Sequence, residues 1–160
     1  MTDDFKKRFF SRPGDFIRES RRIGKHVKTV KKIRSTHELD KRLREKIMLA
    51  VCTVNKCRNC SYLHTKTTLE SGVSDAEIKQ LLKGELGDFP EEEAAALAYA
   101  QHIAEYGDQA SPKAREEAVA HYGPEKTLLI EHYAMRVHIG NMICNTVEAR
   151  SVKATPTSGR

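Results

Sequence analysis

No stretch of the sequence approaches the run of about eighteen consecutive apolar residues that a membrane-crossing helix needs, so a helical membrane protein is not expected. The opening MTDDFKKRFFSRPGDF has no continuous apolar segment followed by a small-residue cleavage site. A secretory signal is therefore not expected, and the chain is expected in the cytoplasm. Cysteine is scarce: four in 160 residues are too few for a disulfide scaffold, and a reducing cytosol does not favour structural disulfides. A strand pattern, an internal repeat, a glycine-rich phosphate loop and a nucleic-acid-binding motif are all missing as well.

What remains suits a single helical domain. Apolar residues make up 39% and charged residues 31%, in a chain long enough to bury a core. The net charge of +6 is uneven. Residues 1–34 carry 12 Lys/Arg against 4 Asp/Glu, whereas residues 35–160 carry 16 against 18. The basicity thus belongs to an N-terminal arm, which can attract an acidic partner or stay a solvated helix with a loose end. Phe5, Phe9, Phe10 and Phe16 lie among its charges, so part of it can instead pack on the body. The expected organisation is this arm at 1–34, a helical domain at 35–151 and a disordered tail at 152–160.

Helix signals recur through the chain. Asp15 is a candidate cap for a basic helix running to about Lys32. Ser35 and Glu38 have capping-box form and open a helix from about Thr36 to Asn55, with Leu39, Leu43, Ile47, Ala50 and Val54 on one apolar face. A further helix starts near Cys57 or Arg58 and stops at Gly72. Ser74 and Glu77 form a second capping box, for a short helix to Lys83. Pro90 precedes Glu91, Glu92 and Glu93, which suit the positive end of a helix to about Tyr106. Another runs from Ser111-Pro112 to Gly123, and the longest, mostly apolar, from Pro124 to about Ser151. The fold class is all-α, with six to seven helices.

The chemistry concentrates in REKIMLAVCTVNKCRNCSYLHTKTTLESG, residues 44–72. Cys57, Cys60 and His64 follow one another at offsets of three and four, which align side chains along one helix face. An attacking thiol, a resolving thiol and a base are the minimum for reversible two-electron redox chemistry. A helix N-terminus at Cys57 favours a thiolate there. Glu45 on the preceding helix can orient His64 if the two helices fold together. Two other readings stay open: Cys57, Cys60 and His64 as three ligands of a zinc site that lacks a fourth, or two buried small residues beside an incidental histidine. Glu45 can also be an ordinary solvent-facing residue. Cys52 and Cys144 read as buried apolar residues, and His102, His121, His132 and His138 fall on no common site, with His132 and His138 expected in the core or an interface.

The run LREKIMLAVCTVNKCRNCSYLHTKTTLESGVSDAEIKQLLKG resembles the AhpD-like alkylhydroperoxidase branch of the carboxymuconolactone decarboxylase family. That branch has a Glu, eleven residues, Cys-x-x-Cys, three residues and a His, matched here by Glu45, Cys57, Cys60 and His64. The likeness extends over about residues 36–150, more loosely towards the end. It implies an all-helical homo-oligomer, trimeric or hexameric, that reduces hydroperoxides without a bound cofactor or metal. In that scheme Cys60 is the peroxidatic thiol, Cys57 the resolving thiol, His64 the base and Glu45 part of the proton relay. A dithiol reductant, lipoyl-bearing or thioredoxin-like, then restores the pair. Two positions depart from the branch: Asn59 stands where its peroxidases carry a relay histidine, and Asn141-Met142 stands where many members have Asn-Arg. Asn59 cannot shuttle a proton at neutral pH, so a general disulfide reductase or redox sensor using the same pair is the first alternative. A zinc-holding binding module and a decarboxylase-type enzyme are the others.

Overall fold

The structure, a computed structural model, describes residues 5–35 and 38–154. Six helices follow in order: α1 (Pro13–Arg34), α2 (Lys41–Val54), α3 (Arg58–Glu70), α4 (Asp75–Lys83), α5 (Glu91–Tyr106) and α6 (Pro112–Ala154), with a 3₁₀ turn at Gly107–Gln109. No strand occurs among the described residues, and the all-α expectation holds. None of these helices is long and apolar enough to cross a membrane.

Several boundaries follow the capping chemistry. At Ser74 the hydroxyl accepts the Glu77 N–H and the Glu77 carboxylate accepts the Ser74 N–H, the expected capping box. Gly84 closes α4 at φ 73, a left-handed conformation that glycine adopts without penalty. Gly123, at φ 73 and ψ 167, divides α6 into two arms, and Pro124 sits at the start of the second, where a missing N–H costs nothing.

Two expected starts are corrected. Asp15 does not begin α1; it lies in the first turn, and its carboxylate accepts the N–H of Arg12, the residue that precedes Pro13. The Ser35–Glu38 capping box does not form. Ser35 ends α1, its hydroxyl donating to the Lys32 carbonyl at 2.6 Å, and Asp40 caps α2 by accepting the Leu43 N–H at 3.1 Å. An aspartate carboxylate three residues before an available N–H outcompetes the serine upstream. The expected start at Thr36 lies outside the described residues. So does the tail from 155 onward, while 152–154 continue α6.

Helix α2 is the centre of the molecule, packed by α3, α4, α5 and α6. The spacing predicts one apolar face, but Glu45, Lys46, Leu49, Val51 and Cys52 are buried as well. Neighbours on several sides leave α2 almost no solvent face. Ile47, Leu49 and Val51 meet a core that includes Leu97 and Ala100 of α5 and Leu129 and Ile130 of α6. A lysine on such a helix needs counter-charges. Lys46, 2% exposed, donates to Glu77 of α4 at 2.5 Å and Glu93 of α5 at 2.6 Å, with its ammonium 5.3 Å from the Phe89 ring centre.

The described part of the basic arm is packed on the body. Helix α1 lies against α6. Phe10 is buried edge-on to Phe16, and its N–H donates to the Thr146 hydroxyl at 2.9 Å.

Burial would raise the Glu77 carboxyl, but hydrogen bonds from Lys46 and Ser74 outweigh it and hold the group down at about 2, from an ordinary 4.5. A carboxylate depressed in this way stabilises the fold above its unfolded value and loses that contribution as pH falls through the folded value. Thermal stability is therefore expected to fall as pH drops from 4.5 to about 2, and Glu77→Gln to flatten that dependence. Lys46→Met should cost roughly 2 kcal/mol in urea unfolding at pH 7, the scale of a lost charged hydrogen bond.

Candidate functional site

The site begins at the turn between α2 and α3. After Val54 the chain passes through Asn55 and through Lys56 at φ 49, a left-handed conformation uncommon outside glycine. Cys57 follows as the residue capping α3, with an extended backbone. Its N–H donates to the Cys52 carbonyl at 3.3 Å, and its own carbonyl accepts the Ser61 N–H at 2.8 Å. The turn is held from outside by α6 and the arm: Asn145, fully buried, donates to the Asn55 carbonyl at 2.9 Å and to the Arg8 carbonyl at 2.8 Å.

Cys57 and Cys60 come together, and with them a sulfur that the sequence reading placed elsewhere. The Sγ atoms of Cys57, Cys60 and Cys144 all lie within 4.8 Å of one another. All are free thiols; Cys57 is 1% exposed, whereas Cys60 and Cys144 are half-buried. The expectation that Cys144 is a buried apolar residue is thus corrected. It reaches the pair from α6, one turn beyond Gly140 and Asn141. Nothing in its local sequence marks it; its only signal is an i, i+3 and i, i+4 relation to residues that turn out to face α3. The zinc set read from spacing is corrected too: Cys144, not His64, joins the pair, and no fourth His, Cys, Asp or Glu completes the group among the described residues. Cys52 is buried as expected, its thiol donating to the Asn141 Oδ1 at 3.4 Å.

Burial decides the charge state of these thiols. It pushes Cys60 well up, reinforced by Cys57, and pushes Cys52 up to about 12. It raises Cys57 too, against the Cys60 thiol and backbone N–H, which favour a negative Cys57. The helix N-terminus was expected to supply a standing thiolate at Cys57; desolvation outweighs it.

His64 lies one turn beyond Cys60 on α3. It is half-buried, its Nδ1 is enclosed without a hydrogen-bond partner among the described residues, and burial lowers its basicity against the opposing pull of Glu45. Glu45 is buried on the facing helix, not solvent-facing. Its Oε2 accepts the Thr67 hydroxyl at 2.8 Å, and its Oε1 lies 3.7 Å from the Arg44 Nε. The carboxylate therefore acts on His64 through space, while its short hydrogen bond goes to Thr67. Thr68 ties the two helices, its hydroxyl lying 2.5 Å from the His64 carbonyl and 3.5 Å from that of Glu45.

Cys60 and His64 open on one cavity of about 280 Å³. Met48, Leu63, Tyr133, Val137 and Gly140 supply a largely apolar wall, with Arg136 and Asn141 also lining it. Cys57 does not line it. Spacing could not identify this wall, because three helices build it. A larger cavity of about 590 Å³, between the arm and α6, contains no cysteine. Asn59 is exposed and its amide lies 3.7 Å from the Cys144 sulfur. His138 is buried, and burial with Arg8 and Arg22 nearby lowers it to about 4; His132 is half-buried, His102 lies against the Tyr106 ring, and His121 is exposed.

Residues 27–102 match the family model of the carboxymuconolactone decarboxylase family, a span that contains Glu45, Cys57, Cys60 and His64. The fold is similar to a crystal structure of a protein of unknown function from Agrobacterium tumefaciens, offered there as an AhpD antioxidant defence protein. The match has a TM-score of 0.59 and 24% identity, covering 94% of this chain and 97% of the other. No curated protein matches the chain. The family model thus spans the motif, and the likeness in fold extends over nearly the whole chain.

The His64 environment can be measured directly. Its imidazole is expected to titrate below the ordinary 6.5, read from the ring C–H shifts by NMR. Glu45→Gln removes the one group that raises it, so the midpoint should fall further; a rise would mean that Glu45 does not act on the ring.

Proposed function

We propose that this chain is a thiol-dependent hydroperoxide reductase working through Cys57 and Cys60. The observation that carries the reading is that Cys60 and His64 share an apolar-walled cavity while the Cys57 sulfur stands within 4.8 Å of Cys60, behind it. An organic hydroperoxide enters against Met48, Leu63 and Val137. His64, held neutral by burial, takes the Cys60 proton as the sulfur attacks the outer peroxide oxygen. The O–O bond breaks, the alkoxide leaves with the proton returned by His64, and Cys60 becomes a sulfenic acid. The Cys57 thiol then attacks the Cys60 sulfur, water leaves, and the Cys57–Cys60 disulfide forms. A dithiol reductant, lipoyl-bearing or thioredoxin-like, takes the two oxidising equivalents.

The roles divide by environment. Cys60 attacks because it opens on the cavity; Cys57 resolves because it is enclosed against Cys60. Glu45 stabilises the imidazolium formed during proton transfer, and Thr67 fixes the carboxylate. High thiol pKa values make His64 essential, since no standing thiolate supplies the nucleophile. The same feature favours a second reading, a disulfide reductase or sensor with slow peroxide turnover, as does the exposed Asn59 in the relay position. Exposed Tyr62, Leu63, Ile143 and Val147 support assembly into a homotrimer or homohexamer.

One equivalent of cumene hydroperoxide should remove about two mass units from the reduced protein, mapped to Cys57–Cys60, as two thiols become a disulfide. Cys60→Ser should abolish peroxide consumption; unchanged consumption sinks the proposal. His64→Ala should slow it about 10²-fold, the scale of a lost general base. Turnover on a model disulfide far exceeding turnover on peroxide would favour the second reading.

A further inference from the structure

We propose that Cys144 is a second resolving thiol for Cys60, so that the oxidised site is shared between a Cys57–Cys60 and a Cys60–Cys144 disulfide. The inference rests on the reductase reading only for the peroxide step; the thiol geometry stands without it. Three sulfurs drawn from two elements lie within 4.8 Å of one another, so Cys60 has two thiols in reach rather than one. A bridged pair needs its sulfurs about 2 Å apart, and Cys60 and Cys144 start within 4.8 Å.

The two candidate partners differ in what surrounds them. Cys57 is 1% exposed, whereas Cys144 is half-buried and takes the Asn59 amide at 3.7 Å. Gly140 and Asn141, one turn earlier on the same face of α6, line the cavity into which Cys60 opens. The α6 face carrying Cys144 is thus the face already apposed to Cys60.

Two routes reach the same bond, and both balance. From the sulfenic acid, the Cys144 thiol attacks the Cys60 sulfur, the S–O bond breaks, and hydroxide leaves with the thiol proton as water. From the first disulfide, the Cys144 thiolate attacks the Cys60 sulfur and Cys57 departs as the leaving thiolate, with no net change in oxidation state. Attack on the Cys60 sulfur makes Cys57 the leaving group, and the Cys60 backbone N–H steadies the departing thiolate against the burial that raises it. The result moves the disulfide from an enclosed thiol to one that solvent and a reductant can reach.

The test uses the full-length chain and two oxidants. Cys57→Ser is oxidised with one equivalent of cumene hydroperoxide and, separately, with one equivalent of diamide, which makes disulfides without a sulfenic acid. It is then alkylated under acid and peptide-mapped. A loss of about two mass units at Cys60–Cys144 within one chain is expected in both arms. In wild type, diamide followed by an hour's equilibration should give both disulfides. Cys144 fully alkylated in every sample, with Cys60 trapped as sulfenic acid or joined between chains, overturns the proposal. Formation with diamide but not with hydroperoxide upholds it and overturns the peroxidase reading instead. Circular dichroism of Cys57→Ser confirms that it is folded before either result is read.

Discussion

A helix buried on several sides must satisfy every charged and polar group it carries, and α2 imposes that demand on the rest of this molecule. Lys46 cannot stand among Ile47, Leu49 and Phe89 without counter-charges, and α4 and α5 supply Glu77 and Glu93. At the C-terminal end the Asn55 carbonyl is buried with the chain's turn, and α6 supplies Asn145. The same Asn145 amide holds the Arg8 carbonyl, so one buried side chain ties the arm, the turn and the last helix together. Lys56, at φ 49, and Cys57 directly follow the residue held by that tie.

The chemistry of the site is set by burial more than by charge. Every perturbed thiol is raised chiefly by loss of water, and His64 is lowered for the same reason. Raised Cys52, Cys57 and Cys60 thiols beside a His64 imidazole of lowered basicity leave little standing thiolate. Glu45 opposes the lowering of His64 through space, while its Oε2 accepts the Thr67 hydroxyl.

The arm and α6 show how surface composition can mislead. A segment with twelve basic residues reads as a solvated appendage, yet Phe10, Val30 and Ile33 anchor its described part on the body. Conversely, the most apolar stretch of the chain is not uniformly buried: Ile143 and Val147 of α6 face outward next to Cys144.

The sequence by itself determined the all-α class, most of the boundaries, and the line of Cys57, Cys60 and His64, because helical periodicity and capping act over three or four residues. It also placed Glu45 on the helix before them. The start of α2 escaped it, since Ser35 and Asp40 both offer caps and only the packed chain chooses between them. Tertiary structure alone decided that Glu45 is buried and bound to Thr67, that Cys52, Cys57 and Cys60 are raised and not lowered, and that Cys144 stands beside the pair. These are properties of helix–helix apposition. Residues 84 positions apart share no local pattern, and the desolvation that sets their chemistry exists only once α2, α3 and α6 exclude water together.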